Sequence, residues 1–541
     1  MIRLKSYKLF LGWLLLPLLL TACPNPAPPD FQISVSPVAI QVHRGESVEA
    51  TLRVIPKNGF KGTLTLSYQK SGGGGLPSGL SVAPDSATVS GSAVDVTLTV
   101  TASDSAELGK HDLEVTATQG KLRHKASFSV TVVPRAGTLD ATFGTDGVAP
   151  FDGGDDELGY SLAFGDGGAI YVLGRGESHH LIVTKFSDAG KRDTGFATTG
   201  VLDLGPLRSS DALKSFDLDR ALLRLPDGNL LAAGYNYDGT TLDDLLLAKF
   251  DVDGNLDTGF GTGGIQTYNN LLYTPGSGNA NEQAHSLALG SDGKVWVTGF
   301  AYQDTNKKEQ FLAMKVDLTS LGSPERAGFG GDGTDYAYAL ALLSNGAFLA
   351  GASNEGGGSK GVWLRLTADL SEQDSGTLSA FDGGRITASA LDAEGRVVLA
   401  GYTYDGTDTD VVVVRMSPDG ALDTSFGENG VVRRDALGGL SDWGDYAFSV
   451  ALDGEGRILV AGRSVAAHDG SRRDYDLMVL RLRPDGSLDP SFGDGGVFLW
   501  DGGHGDDGAF EVALDGRGRI VVTGFSDNGS DYDLVLLRLN P

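Results

Sequence analysis

Apolar and polar residues alternate along most of this chain in short segments, which is the pattern of half-buried β-strands. Between residues 31 and 133 the alternation is clearest in four segments, which turn-forming residues separate. These segments are residues 31–35, 50–54, 94–100 and 128–132. Evenly spaced short strands predict a β-sandwich over residues 31–134.

A repeat of about 58 residues dominates the rest of the chain, residues 135–541. Each unit carries an apolar segment that ends in glycine, and the spacings between these glycines are 60, 65, 52, 50, 61 and 62 residues. The glycines are Gly174, Gly234, Gly299, Gly351, Gly401, Gly462 and Gly524. In the sixth unit the pattern predicts four strands, near residues 447–452, 457–463, 476–483 and 496–500.

Seven units of four strands predict a seven-bladed β-propeller, with six or eight blades as the alternatives because the fourth unit is irregular. The fold class is therefore all-β, a propeller preceded by a sandwich. The last unit ends after its third strand, and residues 147–152 provide a segment that suits the missing fourth strand. Pairing the two ends in this way would close the ring without an open sheet edge.

Several units contain the motif Leu-Asp-x-x-Phe-Gly, at residues 139–144, 256–261, 422–427 and 488–493, with a blurred copy at 192–197. With these motifs the chain resembles the bacterial delta-60 repeat family. The resemblance implies a β-propeller of secreted or surface proteins and no shared activity or catalytic residues. Residues 31–134 resemble bacterial immunoglobulin-like domains in architecture, without their Cys-Trp-Cys core.

The amino terminus has the pattern of an export signal, with a basic start and an apolar run at residues 9–20 that is too short to span a membrane. The sequence Leu-Thr-Ala-Cys that ends at Cys23 resembles the lipobox of bacterial lipoproteins. That resemblance implies removal of a signal peptide, residues 1–22, and acylation of Cys23, with palmitate among the expected acyl chains. Residues 23–30 form a Pro-rich tether. We expect a lipid-anchored protein of the cell envelope, at the outer membrane, the periplasmic face or the cell surface.

Charge is unevenly distributed along the chain. The formal net charge is −27, and 31 basic and 61 acidic residues follow Pro134. An acidic surface of this kind repels phosphate backbones, so nucleic acid is not an expected partner. The expected partners are the membrane, through the lipid anchor, and a protein or glycan ligand.

Two charged positions recur from unit to unit. An acid occurs in the connection before the first strand, and a base occurs in the third strand. The acids are Asp156, Asp217, Glu282, Asp335, Asp445 and Asp507, and the bases are Lys185, Lys249, Lys315, Arg365, Arg415, Arg481 and Arg538. The functional interpretation is that these charges form a cation site or an electrostatic funnel at the mouth of the channel. The structural interpretation is one acid–base pair per blade, or an acid that accepts backbone N–H groups in each connection. Recurrence favours a structural role, and the sequence then predicts that Asp445→Asn costs stability.

The turn with Asp251, Asp253, Asn255 and Asp257 places oxygen ligands at alternate positions, as calcium loops do. It lacks the glutamate of an EF-hand, and its counterparts in other units are ordinary Asp-Gly turns. No cofactor is expected, and calcium at this turn or at the acidic loops 405–410 and 527–533 is the alternative. The pair His179–His180 is interpreted as a surface feature.

The chain contains no HExxH, GxSxG or zinc-type cysteine motif. The leading hypothesis is therefore a binding or scaffold protein, with a propeller hydrolase or lyase active at the channel mouth as one alternative and a self-associating envelope component as the other. Functional loops are expected where units differ, at the insertion 269–283, the excursion 304–309, Trp443 and Trp500.

Overall fold

The structure is a computed structural model that describes residues 27–207, 221–236, 243–272, 281–303, 308–320, 322–330, 333–354, 358–440, 443–468 and 473–541. The chain divides into two compact units, Met1–Val133 and Pro134–Pro541. The signal segment and Cys23 lie outside the described residues, so the lipid anchor stays a prediction. In the described part of the chain, no helix is long and apolar enough to cross a membrane.

The first unit is an immunoglobulin-like β-sandwich, as its alternating pattern predicts. Its described strands are β1 (Asp30–Ser36), β2 (Ala39–His43), β3 (Ser47–Lys57), β4 (Gly62–Lys70), β5 (Leu80–Ala83), β6 (Ser86–Val89), β7 (Val94–Ala102), β8 (Gly109–Gln119) and β9 (Leu122–Val133). Two sheets, ordered β1-β3-β7-β5 and β2-β9-β8-β4-β6, enclose one apolar core. In β3 the residues Ala50, Leu52 and Val54 are buried and their neighbours are exposed, which is the two-residue period of a half-buried strand.

The second unit is a β-propeller. Its described strands form seven four-stranded antiparallel sheets, which we number as blades 1 to 7 in chain order. Blade by blade, they are β11 (Leu158–Phe164), β12 (Ile170–Gly176), β13 (His180–Phe186), β14 (Val201–Pro206); β15 (Ala221–Arg224), β16 (Leu230–Asn236), β17 (Asp244–Phe250), β18 (Ile265–Tyr268); β19 (Glu282–Leu289), β20 (Val295–Gln303), β21 (Lys308–Val316), β22 (Glu325–Phe329); β23 (Asp335–Leu343), β24 (Gly346–Ser353), β25 (Lys360–Thr367), β26 (Glu372–Leu378); β27 (Arg385–Leu391), β28 (Val397–Tyr404), β29 (Thr409–Met416), β30 (Val431–Arg434); β31 (Asp445–Leu452), β32 (Ile458–Ala467), β33 (Arg473–Leu482), β34 (Val497–Trp500); and β35 (Asp507–Leu514), β36 (Ile520–Asp527), β37 (Tyr532–Leu539) with β10 (Val148–Phe151). The described helical segments of this unit are short 3₁₀ turns at Asp166–Gly168, Glu177–His179, Phe196–Thr198 and Ser379–Phe381.

The ring closes as the sequence predicts. Strand β10 pairs antiparallel with β37, from Val148 opposite Leu537 to Phe151 opposite Leu534. The amino-terminal segment thus supplies the fourth strand of blade 7, in the order β10-β37-β36-β35. This pairing satisfies the backbone groups that would otherwise form an exposed edge.

The first strand of each blade lies innermost. A central cavity of about 200 Å³ is lined by residues from the first strands of all seven blades. In six blades the first strand contains a β-bulge. In each of them the bulge directly follows the residue that pairs with the recurring glycine of the second strand. A bulge inserts one unpaired residue and redirects its side chain.

The recurring glycine is explained by its packing beside this bulge. A Cβ atom at Gly462 would lie 1.8 Å from the carbonyl oxygen of Tyr446, and one at Gly524 would lie 1.8 Å from that of Gly508. Only glycine lets the first strand approach the second this closely, so the spacing of these glycines marks the blades.

Candidate functional site

The two ends of the blades differ in composition. We call one end the loop face, formed by the loops that lead into each first strand and the loops that join second to third strands. The opposite end is the turn face, formed by the turns between first and second strands and between third and fourth strands. The recurring acids lie at the loop face, and the recurring bases lie at the turn face.

Strand pairing shows that the acid predicted for blade 1 was the wrong residue. Gly159 pairs with Gly174, so the residue two positions earlier, Glu157, is the counterpart of Asp445 and Asp507. Asp156 is therefore not the recurring acid of blade 1. The prediction was wrong because two adjacent glycines, Gly167 and Gly168, follow the first strand of blade 1. Gly168 is the one equivalent to Gly456, so counting back from Gly167 gave Asp156 instead of Glu157. Asp217 lies outside the described residues.

The recurring acids are buried between blades and do not line the central cavity. Glu157, Glu282, Asp335, Asp445 and Asp507 are each at most 3 % exposed. Four of them accept a backbone N–H from the loop before their strand; the donors are Gly153 (2.7 Å), Leu271 (3.2 Å), Leu437 (3.1 Å) and Gly502 (2.7 Å). Burial raises the pKa of Glu157 to about 7, of Glu282 to about 8, of Asp445 to about 6 and of Asp507 to about 7. These contacts favour the backbone-binding role over a charged funnel.

Most of the recurring bases pair with acids of their own blade, and five of the bases also contact the following blade. Arg481 Nε donates to Asp489 of the repeated motif at 2.8 Å, and its guanidinium lies 4.7 Å from the ring centre of Phe492. Comparable ion pairs join Lys185 to Asp193, Lys249 to Asp257, Arg415 to Asp423 and Arg538 to Asp140. In blades 3 and 4, where the motif is absent, Lys315 pairs with Asp292 and Arg365 donates to the carbonyl of Pro418. Lys185, Lys315, Arg365, Arg415 and Arg538 also reach a carbonyl oxygen in a turn of the following blade.

The predicted calcium turn of blade 2 does not gather its carboxylates. Asp251 Oδ1 accepts the backbone N–H groups of Asp253 and Asn255, both at 2.9 Å. Asp257 is neutralised by Lys249, at 2.9 Å. Among the described residues, the groups of acids and histidines close enough to share an ion lie elsewhere, and one of them is in the predicted acidic loop, at Asp405, Asp408 and Asp410.

The irregular features are distributed over several blades. His180 pairs with Asp203 at 2.8 Å and occupies the strand position that Asp533 has in blade 7, as the alignment predicts. Trp443 is 42 % exposed in a loop, whereas Trp500 is partly buried against the core of blades 6 and 7. Tyr273 of the insertion and residues 304–307 of the excursion lie outside the described residues.

A belt of side chains, most of them aromatic, lines the loop-face end of the central cavity. The sequence did not predict it. Its first members are the unpaired residues of the bulges, Tyr160, His285, Tyr338, Phe448 and Phe510, with Thr387 in blade 5. Its outer members are Phe300, Tyr336, Tyr402 and Tyr446. We call these residues the aromatic belt. Ring centres lie 4.9 Å apart for His285 and Tyr338, 5.9 Å for Phe448 and Phe510, and 5.2 Å for Tyr160 and Phe510.

Between blades 3, 4 and 5 the belt borders a cavity of about 380 Å³, which we call the belt pocket. Its lining residues are Gln283, His285, Phe300, Tyr336, Tyr338, Ala352, Asn354, Ser359, Gly383, Gly384, Arg385 and Tyr402. Arg385 Nη1 donates to the hydroxyl of Tyr338 at 3.0 Å, and Nε donates to the hydroxyl of Tyr402. Among the described residues, the lining therefore combines aromatic faces, neutral amide groups and one guanidinium, without a carboxylate.

A sequence signal for the belt exists. Asp-Tyr-Ala-Tyr at 335–338, Asp-Tyr-Ala-Phe at 445–448 and Asp-Gly-Ala-Phe at 507–510 share an aromatic residue three positions after the recurring acid. When first strands are aligned on the acid, these aromatic residues fall at one position, which the structure shows to be the bulge.

Comparison with protein families agrees with this architecture. Residues 225–260, 393–426 and 456–492 match DUF5122, a β-propeller domain of unknown function. Residues 31–133 match He_PIG, an Ig domain family. Three segments of the second unit are thus similar to DUF5122 β-propeller repeats and the first unit is similar to an Ig domain, in agreement with the expected propeller and immunoglobulin-like domain.

No curated protein sequence matches the chain. Three solved structures illustrate distant similarity to the chain. A polysaccharide lyase of family PL25, an ulvan lyase, has 13 % identity and a TM-score of 0.35, covering 71 % of this chain and 94 % of its own. Sqt1 from Chaetomium thermophilum has 14 % identity and a TM-score of 0.40, with coverages of 73 % and 99 %. A GH43 β-1,3-galactosidase has 11 % identity and a TM-score of 0.29, with coverages of 71 % and 90 %. At these values the likeness carries no argument about function.

Proposed function

We propose that this protein is a lipid-anchored glycan-binding protein of the cell envelope, and that its propeller binds the sugar in the belt pocket. The observation that carries the proposal is the lining of that pocket. Tyrosine and phenylalanine rings offer apolar faces with polar rims, and Gln283 and Asn354 offer amide groups. A sugar ring has the matching chemistry, with an apolar face and hydroxyl groups at its edge.

The charge of the pocket supports an acidic sugar. Arg385 is the one permanently charged residue among the described lining residues, in a chain whose formal net charge is −27. A guanidinium provides several N–H donors in a plane, which suits a carboxylate or sulfate group. A cationic ligand would meet this charge and gain no carboxylate partner.

Binding is favoured over glycoside hydrolysis because the usual mechanism needs two carboxyl groups on either side of the scissile bond. In the part of the chain that the structure describes, no carboxyl group lines the belt pocket and Glu511 is the one acid that lines the central cavity. Glu511 is occupied in the fold, since it accepts the backbone N–H of Leu162 at 2.6 Å and so joins blades 7 and 1.

Calorimetric titration with oligosaccharides tests the proposal, using uronic-acid-containing and matched neutral chains of equal length. Tyr336→Ala removes a half-buried ring and should weaken binding at least tenfold, since buried aromatic anchors contribute about 2 kcal/mol or more. Asn354→Ala changes an exposed residue of the lining and should weaken binding less. Leu422→Ala, an exposed apolar residue at the turn face, is the control.

Acidic chains should bind more tightly than neutral chains, and the sugar should be recovered at its original length. Equal affinities of the Tyr336→Ala and Leu422→Ala proteins would contradict the belt pocket as the binding site. Shortened oligosaccharides would favour the lyase or hydrolase alternative, and concentration-dependent sedimentation without any ligand would favour self-association.

The lipid anchor is tested separately in cells that export the protein. Metabolic labelling with a palmitate analogue should label the wild-type chain and not the Cys23→Ser chain, which should move from the membrane fraction to the soluble fraction. A labelled Cys23→Ser chain would show that Cys23 is not the acceptor.

A further inference from the structure

Three carboxylates converge where the propeller ring closes. Asp152 follows the closing strand β10, Asp533 lies in β37, and Glu157 precedes β11 of blade 1. One oxygen of each lies within 4.8 Å of the other two. We call these three residues the closure cluster.

The closure cluster has no cationic partner among the described residues. Its hydrogen bonds come from neutral donors: Gly154 N to Asp152 at 2.9 Å, Gly153 N to Glu157 at 2.7 Å, and Asn528 Nδ2 to Asp533 at 2.9 Å. Like charges at this separation repel each other, and the carboxylates of Asp152 and Asp533 add to the burial that raises the pKa of Glu157 to about 7.

Glu157 provides an independent sign of a missing ligand. Its side chain is fully buried, and its Oε1 has no hydrogen-bond donor although Oε2 accepts the N–H of Gly153. Buried polar atoms in native proteins are nearly always paired, because leaving one unpaired is costly. A buried oxygen without a hydrogen-bond donor, beside two further carboxylates, suits a bound cation.

We propose that the closure cluster binds a calcium ion, with Asp152, Glu157 and Asp533 as its protein ligands. Calcium prefers carboxylate oxygens and accepts six to eight oxygen ligands in flexible geometry, whereas zinc prefers nitrogen and sulfur. Asp152 is exposed, so water can complete the coordination. Because the three ligands come from the two ends of the ring, the ion holds the closing strand β10 against blade 7 and the start of blade 1.

Comparison with the other junctions supports this choice. The same three positions hold Asp476, Asp501 and Asp507 between blades 6 and 7, but there His468 contacts Asp476 at 2.9 Å and Asp501 at 3.3 Å. In blade 5 the corresponding third-strand acid, Asp410, pairs with Arg433. A basic side chain thus contacts the acids at both of those places, and none does so at the closure cluster in the described part of the chain.

Calcium titration of the purified, chelator-treated protein tests the inference. Isothermal calorimetry should show uptake of calcium, and the melting temperature of the propeller should rise with the logarithm of calcium concentration once the site is saturated. Magnesium chloride at the same concentration should give a smaller shift. Asp152→Asn should weaken calcium binding at least tenfold.

The variants separate binding from folding. Asp152→Asn should leave the melting temperature in chelator unchanged or higher, because the residue is exposed and one repelling charge is removed. Two controls, Asp251→Asn in the turn of blade 2 and Asp501→Asn at the junction with His468, should keep the wild-type calcium response. The inference is overturned if the wild-type protein takes up no calcium, if Asp152→Asn binds it as tightly as wild type, or if magnesium produces an equal shift.

Discussion

Replacing Asp445 by asparagine isolates the electrostatic cost of one recurring acid. Asp445 is 1 % exposed at the start of β31, and its Oδ2 accepts the backbone N–H of Leu437 at 3.1 Å. Burial raises its pKa to about 6, and the nearby carboxylates of Asp435 and Asp410 act in the same direction. Asparagine keeps an oxygen that can accept the N–H of Leu437 and carries no charge.

The sign and size of the effect follow from the pKa. The folded protein holds the Asp445 proton more tightly than the unfolded chain, whose pKa is 3.8, so the contribution of this group to stability falls as the pH rises from about 4 to about 6. Two pKa units correspond to at most about 3 kcal/mol. At pH 8 the Asp445→Asn protein should therefore melt up to about 3 °C higher than wild type, since 1 kcal/mol shifts a unit of this size by about 1 °C. Near pH 4 the two proteins should melt together.

Thermal unfolding followed by scanning calorimetry in chelator, at pH 4, 6 and 8, provides the assay. Asp445→Ala also removes the charge but leaves the N–H of Leu437 without its acceptor, so it should be about 1–3 kcal/mol less stable than Asp445→Asn. Asp494→Asn changes an exposed acid of the same blade and should have no effect at any of these pH values. A lower melting temperature of Asp445→Asn than of wild type at pH 8 would refute the reasoning and restore the loss of stability that the sequence alone predicts.

Two further substitutions test the blade contacts in the same calorimetric assay. Arg481→Ala removes the buried partner of the Asp489 carboxylate and should cost about 3–5 kcal/mol. Arg483→Ala, whose side chain is 51 % exposed and lies 4.0 Å from the same carboxylate, should change stability little. Equal effects of the two would argue against the buried ion pair as a stabilising contact of blade 6. Phe151→Ala removes a ring of the closing strand that is 6 % exposed, and it should cost about 3 kcal/mol and speed hydrogen exchange in β37. Pro150→Ala, at an exposed position of the same strand, should do neither. Unchanged exchange in the Phe151→Ala protein would contradict closure by β10.

Much of the fold was predictable because each blade repeats one local pattern. The alternation of residues 128–132 and the four segments of the sixth unit predicted strands that the structure contains, as β9 and as β31 to β34. Closure by residues 147–152 followed from counting strands, and β10 pairs with β37 as predicted. The alignment failed at Asp156, since two neighbouring glycines left its offset from the turn ambiguous and only the pairing of Gly159 with Gly174 resolves it.

The belt pocket was not predictable in the same way. Its residues come from three blades, and each belongs to a strand that looks ordinary by itself. His285 and Tyr338 lie 4.9 Å apart although 52 residues separate them in the chain, because a bulge in each first strand turns both side chains toward the channel. The closure cluster likewise joins Asp152 to Asp533, from opposite ends of the ring.

The sequence by itself determined the local order of this protein: the alternation that makes strands, the glycines that let adjacent strands approach, and the repeat that makes one blade resemble the next. These properties depend on residues close in the chain, so a one-dimensional pattern contains them. The tertiary structure alone decided which recurring charges meet. It pairs the bases with the acids of the repeated motif at the turn face and buries the other acids between blades at the loop face. The reason is that burial of the acids and the contacts of the bases with carbonyl groups of the following blade depend on distances across blades, and only the closed ring sets those distances.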